Sequence, residues 1–384
     1  MKIKLEGLIV PTRAMHIATS LSPNLRFDYA TRRPAHGDVG MPMTGTVQKG
    51  ILVQGQERPD YIPYFPANDI RGRLRREATR IVCETLRTKS DPVDINTFDG
   101  MNAGNFRGRP DNTPTTLSEM QEFTNHFFVG LFGGGPRTLP SKLVTHDLDP
   151  IYSATLAGGT VPTRFEKYAF TGKSYDMTDV FGCIRRDDTS NFTSLTMMDY
   201  IKDSFNAIND RQDELSIARS KRKKEKQDNQ ASKDETGVTK KAELKKDDLA
   251  NMFAYQCIRA GLPLYLELGF SREPTKAQVG LLLESLLQLF NQNALGGLVR
   301  LGSGHFTGFA NLVVDGRNLG PVLQLNESGV DEDSDPGYVL TDLADEYVDA
   351  KDEALAATSA EDLNRFFIYG KPAEAKAPAP SEAA

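Results

Sequence analysis

Apolar residues recur at helical spacing in two well-separated stretches of the chain. The first lies in Tyr61–Arg80, YIPYFPANDIRGRLRREATR, where an extended, proline-punctuated run turns into a helix. Pro63 and Pro66 disfavour helix immediately before them, and Asn68 or Asp69 can cap the helix by accepting an orphan backbone N–H. At about 100° per residue, Ile70, Leu74, Ala78, Ile81 and Val82 share one face and Arg73, Arg76 and Arg80 the opposite one. Arg71 and Arg75 stand near the apolar border. The spacing predicts a helix over about Asp69–Arg87, one side built for a core and the other for an anion such as phosphate, which suits the planar arginine fork. A merely solvated face accounts for the same pattern. The second stretch, Thr275–Asn293, sets Val279, Leu282, Leu283, Leu286, Leu289 and Phe290 on one stripe, which reads as core.

Between these helices the pattern is shorter and more broken. Lys2–Val10 reads as a first strand. Residues 11–66 are irregular, with a possible hairpin at Gly45–Gly55. Residues 88–116 read as loop. A helix over about Ser118–Phe132 stops at Gly133-Gly134-Gly135-Pro136. Short β-like runs occupy 150–195, and a helix is expected over Met198–Arg219. Residues 219–247, with the run Lys221–Lys226, read as a disordered or weakly helical insertion. A helix at 247–260, a strand at Pro263–Phe270 and a strand at Phe309–Val314 follow, and the tail 370–384 is low in complexity. The skeleton predicts an α+β protein, with a β-α-β-β-α-β ferredoxin-like core, long insertions, and both core helices on one face of an antiparallel sheet.

Composition narrows the class. The 384 residues are 39% hydrophobic and 26% charged, which fits a soluble protein. No run is long and apolar enough to span a bilayer, and the apolar run of MKIKLEGLIVP is too short for a secretory signal. Cys83, Cys183 and Cys257 are too dispersed for a disulfide framework or a zinc site, so reduced thiols in the cytoplasm are expected. The net charge of −6 hides an asymmetry. From Glu327 onward, 15 acidic residues face 4 basic ones, whereas residues 1–110 carry 17 basic and 11 acidic. An acidic chain with an arginine-rich early region is compatible with a nucleic-acid partner.

Candidate chemistry gathers at a few motifs. In GGLVRLGSGHFTG (Gly296–Gly308), Gly302, Ser303 and Gly304 admit close backbone approach. Successive N–H groups there could form an anion-binding concavity, with Arg300, Ser303 and His305 as side-chain donors. The spacing is neither GxGxxG nor a P-loop, and a plain turn is the alternative. LFGGGPR (Leu131–Arg137) reads as a helix stop whose Arg137 could reach a phosphate. Arg26-Phe27-Asp28-Tyr29-Ala30-Thr31-Arg32-Arg33 alternates aromatic and cationic residues, as single-stranded nucleic-acid sites do. Phe165–Tyr175 likewise interleaves aromatics with lysines. His16, His36, Asp28 and Asp38 could serve acid–base chemistry on RNA, although no catalytic signature emerges and polar surface roles fit them as well. No metal or cofactor is implied.

Three features together resemble the RAMP superfamily of CRISPR-associated proteins: the N-terminal strand, PANDIRGRLRREA (Pro66–Ala78), and LGGLVRLGSGHFTGFANL (Leu295–Leu312), with LFGGGP (Leu131–Pro136) as a fourth. The chain looks most like the backbone subunit that polymerises along the guide RNA, in its type IV version, over about residues 1–326. The resemblance implies a ferredoxin-like palm, a finger-like insertion at 11–60 and a β-hairpin thumb within 158–195, for which Phe165, Lys167, Tyr168 and Lys173 are candidates. Candidate RNA contacts are Arg13, Arg26, Arg71, Arg73, Arg75, Arg76, Arg137, Arg300, Gly302, Ser303, Gly304 and His305. By position, Arg71, Arg73, Arg75 and Arg76 match the family's basic helix start, and Gly302–His305 match its glycine loop. The implied partners are a CRISPR guide RNA, a target nucleic acid (DNA for a type IV complex), head-to-tail copies of the chain and other effector subunits, without a membrane. Such a subunit needs no catalytic residue. Related type III subunits cut target RNA with an aspartate after the first strand, and Asp28 or Asp38 would fill that role if the chain were a ribonuclease. A nucleotide-binding enzyme using Gly296–Gly308 is a third reading. The lysine-rich insertion and the acidic segment 327–369 are not general features of the superfamily.

Overall fold

The computed structural model describes residues 1–18, 26–28, 33–35, 41–52, 55, 57–104, 116–134, 139–184, 252–299, 302–326 and 337–367. The chain divides into two compact units: Met1–Pro23 with Thr44–Phe181 and Tyr255–Ala384, and Asn24–Met43 with Gly182–Ala254. The expected helix Met198–Arg219, the insertion 219–247 and the tail 370–384 lie outside the described residues.

The first unit is organised by six elements in the order strand, helix, strand, strand, helix, strand. They are β1 (Ile3–Pro11), α1 (Ala67–Thr88), β2 (Leu143–Thr145), β3 (Leu264–Phe270), α2 (Lys276–Gln292) and β4 (Phe306–Val314). β4 continues the sheet through β5 (Arg317–Leu325) to β6 (Tyr338–Leu340), so the strand order is β6-β5-β4-β1-β3-β2. All of these pairings are antiparallel. The protein is therefore α+β, with its two long helices threaded between sheet strands as the sequence predicts.

Alternation along β1 explains how the sheet serves two cores. Ile3, Leu5 and Ile9 join the main cluster together with Ile70, Leu74, Ala78, Ile81 and Val82 of α1 and the stripe Val279, Leu282, Leu283, Leu286, Leu289 and Phe290 of α2. Leu8 points the other way, into a small cluster with Ile151, Val161, Phe165 and Tyr265. Each large apolar side chain removed from water contributes about 1.5–3 kcal/mol, so the helix-bearing face dominates stability. α2 begins with a capping box, in which Thr275 accepts from the Gln278 N–H and Gln278 reaches back. It ends at Asn293 in the left-handed region, φ 50°. The acidic C-terminal region folds back as α3 (Asp345–Ala357) and α4 (Ala360–Phe367). α3 packs so closely on α2 that a Cβ on Gly280 would stand 1.9 Å from the Tyr347 carbonyl oxygen.

Several local expectations are corrected. The run expected as a helix at 247–260 contains the strand Met252–Ile258, because cross-strand pairing overrides its helix propensity. Gln48–Ile51 pairs with Asp60–Pro63 rather than closing a hairpin inside Gly45–Gly55. The loop 88–116 holds a helix at Ile95–Ala103. Ser118–Phe132 is two helices, Leu117–Asn125 and Val129–Phe132, the first capped by Thr116 with Glu119. In the stretch expected to form a β-hairpin thumb, Thr163–Tyr168 and Ser174–Met177 are 3-10 turns before the strand Thr178–Ile184.

In the second unit, the described residues belong to a five-stranded sheet. Its order is Arg33–Ala35, Arg26–Asp28, Met41–Thr44, Met252–Ile258 and Thr178–Ile184. Arg26 stands opposite Ala35 and Pro42, and Asp28 opposite Arg33.

Candidate functional site

Strand register puts the sequence motifs at one end of the sheet. Ile9 pairs with Leu264, and Pro11 with Phe306, so the C-terminal end of β1 lies beside the start of β3 and the start of β4. Pro150 pairs with Leu264 at the same end, and Phe65, just before α1, bridges to Leu148. The start of α1, the segment after β1 and the glycine-rich loop before β4 therefore share that end.

The start of α1 is capped by a distant residue. Pro66 occupies the N-cap and supplies no side-chain acceptor, and the Ala67 N–H donates to Asp147 Oδ1 at 2.9 Å. Neither Asn68 nor Asp69 caps the helix as expected. Asp147 also accepts from Lys49 Nζ at 3.1 Å, and Lys49 pairs with the buried Asp149 at 2.6 Å. Burial pushes the Asp149 carboxyl up, in spite of the lysine beside it.

The five arginines of α1 divide sharply. Arg75 is 7% exposed. Its Nη2 donates to the Phe132 carbonyl at 2.7 Å and the Gly133 carbonyl at 2.9 Å, and its guanidinium lies 5.5 Å from the Phe132 ring centroid. Burial, with Arg71 nearby, lowers its pKa to about 10. Arg71 is half-buried and also donates to the Phe132 carbonyl. These two residues tie α1 to the LFGG turn, whose carbonyls the helix end leaves unsatisfied. Both were among the candidate RNA contacts, and the donors of Arg75 are directed into the protein. Arg80 pairs with Glu77 and Glu84 and donates to Gln288. Arg76 is exposed and Arg73 half-exposed, and among the described residues neither makes a hydrogen bond or ion pair. Partial burial, with Arg73 beside it, lowers the Arg76 pKa.

The glycine-rich loop is a built turn packed on the segment after β1. The Gly297 N–H donates to the His16 carbonyl at 2.8 Å, and the Gly302 N–H to the Val299 carbonyl at 2.8 Å. The Gly304 N–H donates to the Ala14 carbonyl at 2.9 Å, and the Phe306 N–H to Asn293 Oδ1 at 2.7 Å. The His305 carbonyl accepts from the N–H groups of Thr12 and Arg13. An open concavity of N–H donors is therefore corrected among the described residues: the Gly297, Gly302, Ser303 and Gly304 N–H groups are engaged within the protein, and Ser303 is buried. Glycine is needed at 302 and 304, where φ is +77° and +81°. A Cβ on Gly302 would stand 2.8 Å from Arg13 Nη1, so the missing side chain leaves room for the exposed Arg13 guanidinium.

His16 is buried, with Nδ1 2.9 Å from the Gln256 carbonyl oxygen and its ring edge-on to Tyr255. Burial lowers its pKa, against the raising effect of that carbonyl. Arg137, Arg300, His36 and Asp38 lie outside the described residues. Of the thumb candidates, Phe165 is buried in the small cluster, while Lys167 and Lys173 lie over the rings of Tyr168 and Tyr175. Sequence reasoning missed Glu6, which is 1% exposed and is held by Lys4 and Arg164. Burial alone would raise its carboxyl pKa, but the two cations hold it below the usual range. The available signal was the charged pair Lys4 and Glu6, two apart and so on one face of a largely apolar strand. Among the described residues, no His, Cys, Asp and Glu cluster could hold a metal ion, and no helix is long and apolar enough to cross a membrane.

No family model and no curated protein matches this chain. Among solved structures, it is similar to a chain described as a Type IV-B CRISPR Complex, with 14% sequence identity and a TM-score of 0.40, covering 80% of this chain and 90% of that one.

Proposed function

We propose that this chain is a backbone subunit of a CRISPR RNA-guided effector complex. Several copies stack head to tail along one guide RNA, hold its phosphates and present its bases to a target. The six-element β-α-β-β-α-β unit acts as a ferredoxin-like palm, and the contacts lie at the end where α1, the segment after β1 and the glycine loop meet. That convergence supports the reading: the segment after β1 and two stretches that bear the sequence resemblance, the start of α1 and the glycine loop, share one end of one sheet. Arg13, Arg73 and Arg76 are the contacts best placed there, because their side chains reach solvent. Phosphate contacts position the RNA without reading sequence, and pairing by the guide supplies specificity.

The test is purification from cells that express a CRISPR array and the partner subunits. RNA of discrete length should accompany the protein, with a raised 260/280 absorbance ratio and several copies per particle. RNA-free monomers from such cells would refute the proposal.

A further inference from the structure

A second surface of the first unit has the chemistry of a nucleotide site. On the sheet face away from the long helices, the turn Thr163–Tyr168 and strands β4 and β5 enclose a groove of about 810 Å³. Its charged lining residues are Arg164 and Lys167, and among the described residues no carboxylate lines it. Its aromatic wall is Tyr168 and Phe309, half-buried side chains with ring centroids 6.0 Å apart. Asn311 and Gln324 add amides able both to donate and to accept.

The groove is pre-formed. Phe165 and Tyr265, edge-on at 4.9 Å, floor the cluster on which Tyr168 and Phe309 rest. Arg164 is anchored by the buried Glu6, which fixes the turn on the sheet. β4 and β5 change register between Ala310 and Asn311 and again between Leu312 and Val313. Such irregularities re-aim side chains beside a site. Lys167 Nζ stands 4.8 Å from the Tyr168 ring centroid, so one cation and one aromatic face are offered together.

We infer that this groove holds one or two nucleotides of a single-stranded nucleic acid, a base stacked on Tyr168 or Phe309 and a phosphate on Lys167. Flat rings select for flat ligands, Lys167, a cation with no carboxylate in the groove lining among the described residues, selects for an anion, and the amides suit base edges. The inference rests on the reading above only for its choice of ligand class. The groove lies on the sheet face beyond the glycine-rich loop, which it meets at Gly308.

The experiment uses the full chain, freed of RNA at high salt, and a fluorescently labelled 12-nucleotide oligouridine followed by anisotropy. Tyr168→Ala should weaken binding about tenfold. Lys167→Glu should weaken it and flatten the salt dependence by about 0.7 for each phosphate released. Unchanged affinity in both variants, with melting temperature preserved, overturns the inference. If Tyr168→Ala lowers the melting temperature, photocrosslinking of 4-thiouridine to the unmodified chain decides: adducts on 164–168 or 309–326 support the groove, and adducts confined elsewhere overturn it. Competition by an acidic peptide as strong as that by oligouridine also overturns it. RNA content of particles from array-expressing cells is measured in parallel. Normal content with an inert groove sinks this inference alone, and RNA-free particles with a binding groove sink only the guide reading.

Discussion

Replacing Arg75 by methionine separates a structural arginine from an RNA-binding one. The substitution keeps the aliphatic stem and removes the guanidinium, and with it two hydrogen bonds to the Phe132 and Gly133 carbonyls. Bonds from a charged donor are worth about 1.5–3 kcal/mol each, so the gross loss is about 3–6 kcal/mol. Against this stands the recovered cost of a buried charge. Lowering the Arg75 pKa from 12.5 to about 10 corresponds to about 3 kcal/mol. Arg71 still donates to the Phe132 carbonyl, so only the Gly133 oxygen loses its guanidinium partner. Taking the middle of the gross range, the net expectation is a destabilisation of about 1.5 kcal/mol. Urea unfolding of the purified chain measures it, with an unchanged m-value showing that the denatured state is not altered. Arg76→Met, on the exposed side of the same helix, should stay within about 0.5 kcal/mol of the parent. The reasoning is refuted if the two variants unfold at the same urea concentration, or if Arg75→Met loses bound RNA while keeping full stability.

The outward arginines give the complementary result: Arg73→Glu or Arg76→Glu should leave the unfolding midpoint nearly fixed. RNA affinity should fall, and its logarithmic salt slope should flatten by about 0.7 for each phosphate no longer neutralised, as measured by filter binding across salt concentrations. His16 gives a pH signature. Its folded pKa lies below the unfolded 6.5, so between the two values the unfolded chain binds more protons. Stability is full above pH 6.5 and falls as pH drops through the folded value, and His16→Gln should flatten that part of a melting-temperature profile taken down to about pH 5. In the glycine loop, Gly304→Ala sets a Cβ 1.9 Å from the Leu295 carbonyl oxygen at φ +81° and should cost about 3 kcal/mol or more. Gly302→Ala meets only the movable end of Arg13 and should cost about 1 kcal/mol by thermal melting.

The long periodic elements were legible in the sequence because their burial follows their spacing. Every residue of the predicted stripe on α2 is buried, as are the five apolar positions of α1. The α+β class and its antiparallel sheet were legible too, since an apolar first strand and two amphipathic helices separated by short β-like runs leave few other classes. Short or borderline runs were not. Met252–Ile258 carries helix formers, and only its pairing partners decide for strand. The α1 cap was invisible because Asp147 lies 80 residues from Ala67. Helical spacing separated inward from outward positions, but it could not reveal that the borderline Arg75 meets the orphan carbonyls of another helix end. The groove beside Tyr168 depends on β4, β5 and a turn near residue 165 coming together, and no local pattern encodes that juxtaposition.

Asp147 on the first N–H of α1 and the closed ladder of the glycine loop have a joint consequence. Two places where main-chain amides commonly grip phosphate are occupied by the protein itself. On the proposed reading, a polyanion at this end of the sheet would be held by individual guanidinium groups on long, rotatable stems. Such a grip is graded: each arginine can be removed or restored separately, and the strand can shift by a nucleotide without breaking a rigid cradle. If the proposed stacking along one strand holds, each copy would thereby tolerate small differences in nucleotide spacing.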